Sequence, residues 1–351
     1  MPIHRTPNHV VPTLLATLSA ALILSACHTT KPPTQTPPPP TTLANQPIPT
    51  ALTRYEYAQI HMGMRCRLVV YADSEEAAVA ACRAAFARVA EIDRVASDYL
   101  IDSELNRVVR SAATQPVKVS DDLWTLFTEA RKLSERTDGA FDITVGPYVK
   151  LWRKARADKV LPSEEALAAA APLVGYQKVR LDPAAHTVRL ALPGMKLDLG
   201  GIAKGYAGEN AIATLRAHGI ASAFYEAGGD IVVSDAPPGK GGWAIGIADH
   251  GPNIPESLPV ANSAISTSGD TEQFVEINGL HYSHVVDPHT GIGMTTRAMG
   301  TVTGPKGLWT DGLSKSVYLI PPEKVESLLK HYPGTKAYIR KVPQKHDEQT
   351  K

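Results

Sequence analysis

Residues 196–206 read Lys-Leu-Asp-Leu-Gly-Gly-Ile-Ala-Lys-Gly-Tyr, and this stretch decides how the rest of the chain is interpreted. The pattern predicts a β-strand over 196–199, a tight turn at the two glycines and a helix over 202–218. A helix start carries unpaired N–H groups and a positive dipole end, and Lys204 adds a charge there, so the segment can bind an anion. Its spacing matches neither GxxxxGK(S/T) nor GxGxxG. The segment is therefore either a phosphate-binding turn or a strand-to-helix turn whose glycines serve only geometry.

The composition is that of a globular protein, since 43% of the 351 residues are hydrophobic and 20% are charged. The 36 Lys and Arg residues balance the 35 Asp and Glu residues, which leaves a net charge of +1. No overall field would attract nucleic acid, so we exclude a nucleic-acid partner. The three cysteines are too few for a disulfide framework, and no CxxC pair indicates structural zinc. Cys66 and Cys82 are left open as two buried thiols or one disulfide.

Residues 1–26 resemble a bacterial lipoprotein signal peptide. A mostly apolar run over 10–26 is too short and too interrupted for a transmembrane helix, and it ends in Leu-Ser-Ala before Cys27. Small residues before a cysteine at this place indicate that Cys27 carries acyl chains such as palmitate. The alternative is an ordinary signal peptide that is cleaved. Residues 27–53 are rich in Thr and Pro and predict a disordered spacer. Residues 341–351 predict a charged tail.

The chain between these ends predicts one α/β (α+β) domain over 54–340, because it contains no internal repeat and no Gly/Ser linker. Ser74 is predicted to cap the first helix, whose apolar face includes Ala78, Cys82 and Val89. A second helix is predicted over 121–137, closed by Asp138-Gly139, and a later one over 322–330. Short strands are predicted at 65–71, 178–181, 187–190, 223–225, 231–233, 243–248 and 274–277.

Three further segments are dense in Gly, Asp and His. Residues 136–147 (Arg-Thr-Asp-Gly-Ala-Phe-Asp-Ile-Thr-Val-Gly-Pro) are either a ligand-contacting loop or a helix C-cap that leads into a strand. Residues 283–291 contain His284, which is either a general base steered by Asp287 or a structural histidine. Residues 309–316 place Asp311 at a predicted helix start, as either an N-cap or an oxygen ligand of a hard cation.

Taken in order, these segments resemble the ApbE family of flavin transferases from about residue 62 to residue 319. The motifs that carry the resemblance are Ser97-Asp98-Tyr99 with Asp102-Ser103-Glu104-Leu105, TDGAFDITVGP (137–147), LDLGGIAKGYA (197–207), GGDI (228–231), SGD (268–270), HVVDPHTG (284–291) and DGLSKS (311–316). Any single motif is weak, but their common order over most of the chain is specific.

The resemblance implies a single domain with a deep FAD cleft and an enzyme that uses FAD as donor. FMN is transferred through a phosphoester bond to a Thr or Ser hydroxyl of an exported target protein, AMP is released, and Mg²⁺ is the usual cofactor. The lipobox-like residues before Cys27 add the expectation of a lipid-anchored protein of the bacterial cell envelope that faces the periplasm or exported side. Two alternatives are an FAD pyrophosphatase, which forms free FMN and AMP, and a catalytically weak FAD-binding lipoprotein.

The resemblance also implies roles for particular residues. His284 matches the histidine implicated in transfer, where it would take the proton of the acceptor hydroxyl. The magnesium ligands would be a main-chain oxygen of Gly201, the carboxylate of Asp311 and a main-chain oxygen near Ser314. The positions that match FAD contacts are Met62, Tyr99, Ala140, Phe141, Asp142, Asp198, Lys204, His284 and Val285.

Two positions depart from the family pattern. Lys315 stands where the family commonly has a threonine whose hydroxyl binds Mg²⁺, and a charged lysine has no acceptor oxygen to offer a metal. Either its ammonium replaces part of the metal's charge, or the metal site is weaker, or FAD is bound without efficient transfer. The SGD motif is followed by Thr-Glu-Gln at 271–273 instead of the usual Tyr-Glu-Arg.

The anchor can be tested at the proposed lipidation site. We expect Cys27→Ser to move the protein from the membrane to the soluble exported fraction, because two or three acyl chains hold a protein stably on a bilayer and their loss removes that hold. Fractionation followed by immunoblotting measures the change, and flavin transfer by the released protein should be unaltered. Membrane association that survives the substitution would exclude lipidation at Cys27.

Overall fold

The described part of the chain contains fourteen strands. They are β1 (Thr53–His61), β2 (Met64–Ala72), β3 (Val117–Lys118), β4 (Val179–Asp182), β5 (Thr187–Leu190), β6 (Ala223–Ala227), β7 (Asp230–Val233), β8 (Trp243–Gly246), β9 (Ser257–Val260), β10 (Ser263–Gly269), β11 (Phe274–Ile277), β12 (Leu280–Ser283), β13 (Arg297–Gly304) and β14 (Lys336–Val342). Seven of them form the main sheet in the order β1-β2-β6-β7-β10-β13-β14, with every neighbouring pair antiparallel. The others form the small sheets β3-β5-β4, β8-β9 and β11-β12.

The structure is a computed structural model that describes residues 51–247, 255–269, 274–295 and 297–342. The predicted signal peptide, Cys27, most of the spacer and residues 343–351 of the tail lie outside the described residues, as do Asp270 and 271–273. Within the described residues, no helix is long and apolar enough to cross a membrane.

Eight α-helices accompany the strands. They are α1 (Glu75–Ala96), α2 (Glu104–Ser111), α3 (Asp121–Arg136), α4 (Gly146–Asp158), α5 (Glu164–Ala170), α6 (Ala203–Ala217), α7 (Gly307–Leu319) and α8 (Pro322–Lys330). The mixed α/β fold with a single domain is confirmed, and α8 coincides with its predicted bounds. Ser74 caps α1 by accepting a hydrogen bond from Ala77 N, as predicted. Asp138 and Gly139 follow α3 with φ of 52° and 80°, the left-handed conformation that ends a helix.

Two sequence-based predictions of local structure are wrong. Residues 196–199 form no strand; they are an extended segment, held at one point by a hydrogen bond of 2.8 Å from Asp198 N to Ile143 O. Asp311 is not at a helix start, because α7 begins four residues earlier, at Gly307. Several elements were not predicted from the sequence: the strands β1, β3, β9, β10, β12, β13 and β14 and the helices α2, α4 and α5.

The main sheet is covered differently on its two faces. Along β2, alternate side chains such as Leu68 and Val70 pack against α1 and α6 in one hydrophobic cluster. The residue between them, Val69, points to the other face, where it packs with Phe224 and Trp243. This alternation is the two-residue period of a strand that is buried on both faces. Cys66 and Cys82 lie in the cluster around α1 as free, buried thiols.

Helices α6 and α7 approach each other closely where both carry glycine. A Cβ atom added to Gly205 would lie 1.9 Å from the main-chain oxygen of Gly307, and one added to Gly307 would lie 2.5 Å from the oxygen of Gly205. Real Cβ atoms do not come this near, so only glycine permits this separation of the two helix backbones. The contact places the first turn of α6 against the first turns of α7.

The close approach predicts a stability loss for Gly205→Ala. The added methyl group would force the two helices apart, and we expect a loss of about 3 kcal/mol in the free energy of unfolding, the upper end for overpacked cores. Urea denaturation measures it. Gly241→Ala is the matched control, since Gly241 has no atom within 4 Å of its added Cβ and no positive φ, and we expect a change within about 0.5 kcal/mol. Equal stabilities of the two variants would contradict the glycine argument.

Candidate active site

The turn before α6 is closed by its own backbone and by one acid. Gly200 N donates to Asp198 Oδ1 at 2.8 Å, and Ile202 N and Ala203 N donate to Leu199 O at 3.0 and 2.9 Å. Ile202 stands at the N-cap position of α6 and supplies no side-chain cap. The first turn of the helix therefore needs an acceptor from elsewhere in the chain.

Asp311 of α7 supplies that acceptor. Its Oδ2 accepts a hydrogen bond of 3.0 Å from Gly205 N, so it caps α6 although it lies in the interior of α7. The side chain is fully buried. Asp311 does act as a helix cap, but the helix that it caps is α6 and not its own helix α7. The carboxylate reaches α6 because the glycine contact brings α6 and α7 close together.

Two ammonium groups bind the other oxygen of Asp311. Lys315 Nζ lies 2.5 Å from Asp311 Oδ1, and Lys204 Nζ lies 3.1 Å from the same atom. Lys204 Nζ also lies 2.7 Å from Asp230 Oδ2 and donates to Gly200 O at 3.1 Å. Lys315 Nζ makes a second bond, of 3.0 Å, to the main-chain oxygen of Asp311. Lys204, Asp230, Asp311 and Lys315 are named here the Lys–Asp cluster.

The cluster is layered from the interior outward. The Asp230 and Asp311 side chains are 3% and 0% exposed, whereas those of Lys204 and Lys315 are 13% and 15% exposed. The lysine side chains therefore contribute most of the solvent-accessible part of the cluster, and ammonium groups are suitable partners for phosphate oxygens.

Burial and neighbouring charges shift the pKa values of Lys204, Asp230 and Asp311. Burial raises the pKa of Asp311, but the ammonium groups of Lys204 and Lys315 outweigh it and lower that pKa to about 2. Burial lowers the pKa of Lys204, and Asp230 and Asp311 reverse this and raise it. Burial and the neighbouring charge of Asp311 raise the pKa of Asp230. Asp230 Oδ1 has no hydrogen-bond partner among the described residues.

Phe141 borders the cluster. Its ring would lie 3.1 Å from a Cβ added to Gly201, and Lys315 Cδ would lie 3.4 Å from the same point. Gly201 is therefore placed between an aromatic ring and the stem of Lys315. The structure brings together four predicted site residues here: Phe141, Gly201, Lys204 and Asp311.

Asp142 and Ala140, predicted as FAD contacts, flank Phe141 and are buried. Asp142 Oδ1 accepts from Thr144 N and Thr144 Oγ1 at 2.7 and 2.6 Å, and its Oδ2 accepts from Tyr176 N at 2.7 Å. Burial raises the pKa of Asp142. These bonds hold the loop in place, so the segment 136–147 is a helix C-cap that leads into a 3-10 turn at Ile143–Val145 rather than into a strand.

A second group of charges surrounds Asp198 and Tyr99. Arg153 of α4 lies 2.6 Å from Asp98 Oδ2 and 3.6 Å from Asp198 Oδ2, and its guanidinium is stacked over the ring of Tyr99 at 4.1 Å. Burial and the carboxylate of Asp98 raise the pKa of Asp198. Tyr99 is 73% exposed, so most of its surface remains accessible to a planar ligand.

His284 and Val285 follow β12 in a hairpin loop, and both are half-buried. Val285 N donates to Ser283 Oγ at 3.1 Å. Asp287 was the acid predicted to orient His284. Its carboxylate stabilises the turn that follows, where it accepts hydrogen bonds from His289 N at 2.9 Å and from Thr290 Oγ1 at 3.2 Å. The loop packs against α4, where Trp152 Nε1 donates to Gly291 O.

Met62 lies in the two-residue turn between β1 and β2, with a φ of 52°. Its N–H donates to Asp93 Oδ2 at 2.8 Å, and its side chain packs against the clusters on both sides of α6. The next residue but one, Met64, lies against Gly228 in the turn that leads to Asp230.

Two of the three predicted magnesium ligands, Asp311 and Ser314, are already engaged in contacts within the protein. Both carboxylate oxygens of Asp311 are bound, by two ammonium groups and by Gly205 N–H. Ser314 is fully buried within α7, and its main-chain oxygen would lie 2.4 Å from a Cβ added to Gly300 of β13, so it faces the sheet. Among the described residues, no group of three His, Cys, Asp or Glu side chains could hold a metal ion.

Sequence reasoning missed two residues of the site. Asp230 was seen only as part of the GGDI motif, although an acid at the end of a buried turn could have been flagged as needing a cation. Arg153 gave no local signal, because it is one of several basic residues on α4 and its partners lie far away in the sequence.

The known proteins that this chain resembles are flavin transferases. The structure of the Pseudomonas stutzeri flavinyl transferase ApbE (apo form) superposes with a TM-score of 0.73 at 27% identity, covering 84% of this chain and 93% of that one. The FAD:protein FMN transferase of Treponema pallidum is 32% identical over 301 residues, 81% of this chain and 83% of that protein. The Vibrio cholerae FAD:protein FMN transferase is 32% identical over 241 residues, 67% and 71% of the two chains.

A family model described as the ApbE family matches residues 62–339. The chain belongs to the ApbE family. The predicted resemblance and the prediction of an enzyme of this kind are thereby confirmed.

The buried carboxylate predicts a pH-dependent stability. At neutral pH we expect Asp311→Asn to cost about 3–5 kcal/mol in the free energy of unfolding, since it leaves two ammonium groups short of a counter-charge. The pKa of Asp311 falls from 3.8 to about 2 on folding. Its stabilisation is therefore complete above pH 3.8 and declines as the pH falls towards 2.

Urea denaturation at several pH values should show the difference between wild type and Asp311→Asn shrinking across that interval. Asp158→Asn serves as control: its exposed pair with Lys154 should contribute at most about 1 kcal/mol. A difference between wild type and Asp311→Asn that is small at pH 7 or independent of pH would contradict the proposed electrostatics.

Proposed function

We propose that this protein uses FAD as donor and attaches FMN, through a phosphoester bond, to a Thr or Ser hydroxyl of an exported acceptor protein, with release of AMP. Family membership and the names of its relatives support the proposal. The observation that carries it is the Lys–Asp cluster, which presents two ammonium groups beside the first turn of α6.

The pyrophosphate of FAD is the part of the donor that this cluster suits. Phosphoryl transfer depends on positioning and on neutralising the charge of the phosphate oxygens, and little covalent chemistry is asked of the protein. Lys204 and Lys315 supply the positive charge, and the dipole of α6 points the same way. Asp230 and Asp311 hold the two ammonium groups in position from behind.

Aromatic residues beside the two groups of charges can contact the planar parts of FAD. Phe141 lies against Gly201. The ring of Tyr99 is exposed, and the guanidinium of Arg153 stacks on one of its faces. We assign Met62, Ala140, Asp142, Asp198 and Val285 to the walls of the same cleft, on the strength of the family motifs. Asp142 acts there through the loop that it holds.

The transfer itself requires a base for the acceptor hydroxyl. The hydroxyl oxygen attacks the phosphorus on the FMN side, the bond from that phosphorus to the bridging oxygen breaks, and the bridging oxygen leaves with AMP. We assign the removal of the hydroxyl proton to His284, which sits half-buried in the hairpin loop after β12. An imidazole exchanges protons near neutral pH and suits this role.

Magnesium belongs to the expectations drawn from the family resemblance. When bound, the ion would add positive charge at the pyrophosphate. Asp311 and Ser314 do not fit it, as described above, because both carboxylate oxygens of Asp311 already accept hydrogen bonds from ammonium or N–H groups and the main-chain oxygen of Ser314 faces the sheet. No step of the proposed reaction is therefore assigned to a metal.

We also propose that the enzyme is lipid-anchored through Cys27 and acts on the periplasmic side of the bacterial cell envelope. The lipobox-like residues before Cys27 and the Thr- and Pro-rich stretch after it support this assignment. A tether of this length would let the domain reach acceptor proteins carried in the same membrane.

The proposed reaction is tested by incubating the protein with FAD and an acceptor domain that carries a flavinylation Thr or Ser. We expect the acceptor mass to rise by one FMN less water, with one AMP released per transfer. Free FMN without acceptor modification would instead indicate an FAD pyrophosphatase. Tight FAD binding without AMP, with or without divalent ions, would indicate a flavin-binding protein and refute the transfer.

His284→Ala separates catalysis from binding. We expect FAD affinity to stay within a few-fold of wild type and the transfer rate to fall about 10²–10⁴-fold, which is the usual contribution of general acid–base catalysis. Fluorescence titration with FAD and acceptor mass spectrometry give the two readouts. His289→Ala, in the same loop and exposed, should transfer at the wild-type rate. Lost FAD binding with normal turnover would make His284 a cleft residue instead of the base.

A further inference from the structure

Lys315 is fixed next to the buried carboxylate rather than extended into solvent. Its ammonium bonds both Oδ1 and the main-chain oxygen of Asp311, one helical turn earlier in α7. Its stem passes beside Gly201, where Lys315 Cδ would lie 3.4 Å from an added Cβ. A side chain held at both its head and its stem is part of the site.

Charge balance shows what Lys315 contributes. The cluster buries two acids, Asp230 and Asp311, and Lys204 alone can balance only one of them. Without Lys315 the cluster would be short of positive charge and would have to recruit a cation from solution, since buried carboxylates require compensation. With Lys315 the count of charged groups is even, two acids to two ammonium groups.

A divalent cation at the same place would meet repulsion. It would need Asp311 Oδ1, which already accepts from two ammonium groups, and it would lie within a few ångströms of both. Like charges at such distances in a poorly solvated site repel strongly. The same ammonium group that neutralises the carboxylate therefore disfavours a metal.

We infer that Lys315 is a built-in cation that takes the place of a divalent ion beside Asp311, so that the pyrophosphate of the donor meets the ammonium group of Lys315 there and no resident metal is required. The assignment of the ligand rests on the proposed function. The replacement of the ion by Lys315 rests on the geometry of the cluster alone, and the two can be tested separately.

Metal binding is measured first, without FAD. Mn²⁺ serves as the probe, with electron paramagnetic resonance to count the bound ion, in wild type, Lys315→Thr and the control Lys330→Thr, which changes an exposed lysine of α8. We expect no saturable site in wild type or in Lys330→Thr. Lys315→Thr should gain one saturable site, because a hydroxyl oxygen replaces a cation.

Catalysis is measured second, as AMP release with a chelator present and then with added Mg²⁺. Wild type should keep its activity in chelator, and Lys315→Thr should lose on the order of 10-fold or more and recover with Mg²⁺, since a charged hydrogen bond to phosphate is removed and then replaced. Lys315→Met, which keeps the stem without the charge, should lose activity in chelator and recover less.

Three results would overturn the inference: a saturable Mn²⁺ site in wild type, superimposable Mn²⁺ titrations of wild type and Lys315→Thr, or wild-type activity abolished by chelator. If Lys315→Thr does not fold, as judged by thermal unfolding, Lys315→Met and the wild-type Mn²⁺ titration still decide the matter. If no protein releases AMP but the Mn²⁺ results hold, the proposed transfer fails and the built-in cation stands.

Discussion

The site depends on the contact between Gly205 of α6 and Gly307 of α7. Two helix backbones come close enough for the main-chain oxygen of one to occupy the space of a missing Cβ on the other. Because α7 is then seated against the first turn of α6, Asp311 reaches Gly205 N from within its own helix and caps its neighbour. The capping carboxylate in turn fixes both lysines. The packing of the two helices, the capping of α6 and the arrangement of charges thus all depend on the absence of side chains at Gly205 and Gly307.

The charges of the site are organised before any ligand arrives. The Asp230 and Asp311 side chains are more deeply buried than those of the two lysines, and they bind the ammonium groups. Preorganised charge is effective in phosphoryl transfer, since the protein need not rearrange as the phosphate oxygens change their charge. Burying four ionisable side chains is costly for stability, and such clusters are expected where function requires them. Arg153, between Asp98 and Asp198, repeats the arrangement on a smaller scale beside Tyr99.

Local sequence signals predicted local structure well and long-range contacts poorly. The helix expected at 202–218 is α6, and the cap at Ser74 is present, because hydrophobic period and capping chemistry are properties of a few neighbouring residues. The expected strand at 196–199 is not formed, because a strand is defined by its partners, and no strand among the described residues pairs with this segment. Asp311 was recognised as important and misassigned in structure, since the group that it caps lies 106 positions away. Its neighbour Lys315 was noticed only because it departs from a family pattern.

The cap on α6 also makes the Gly205 amide a probe of how often the site opens. First-turn amides of a helix ordinarily exchange their hydrogens with solvent readily, because nothing inside the helix binds them. The Gly205 amide is bound instead to a fully buried carboxylate on another helix, so its hydrogen can exchange only when α6 and α7 separate. Amide exchange at this one position therefore measures how often the assembled site opens, and it does so without flavin, acceptor or any chemical turnover.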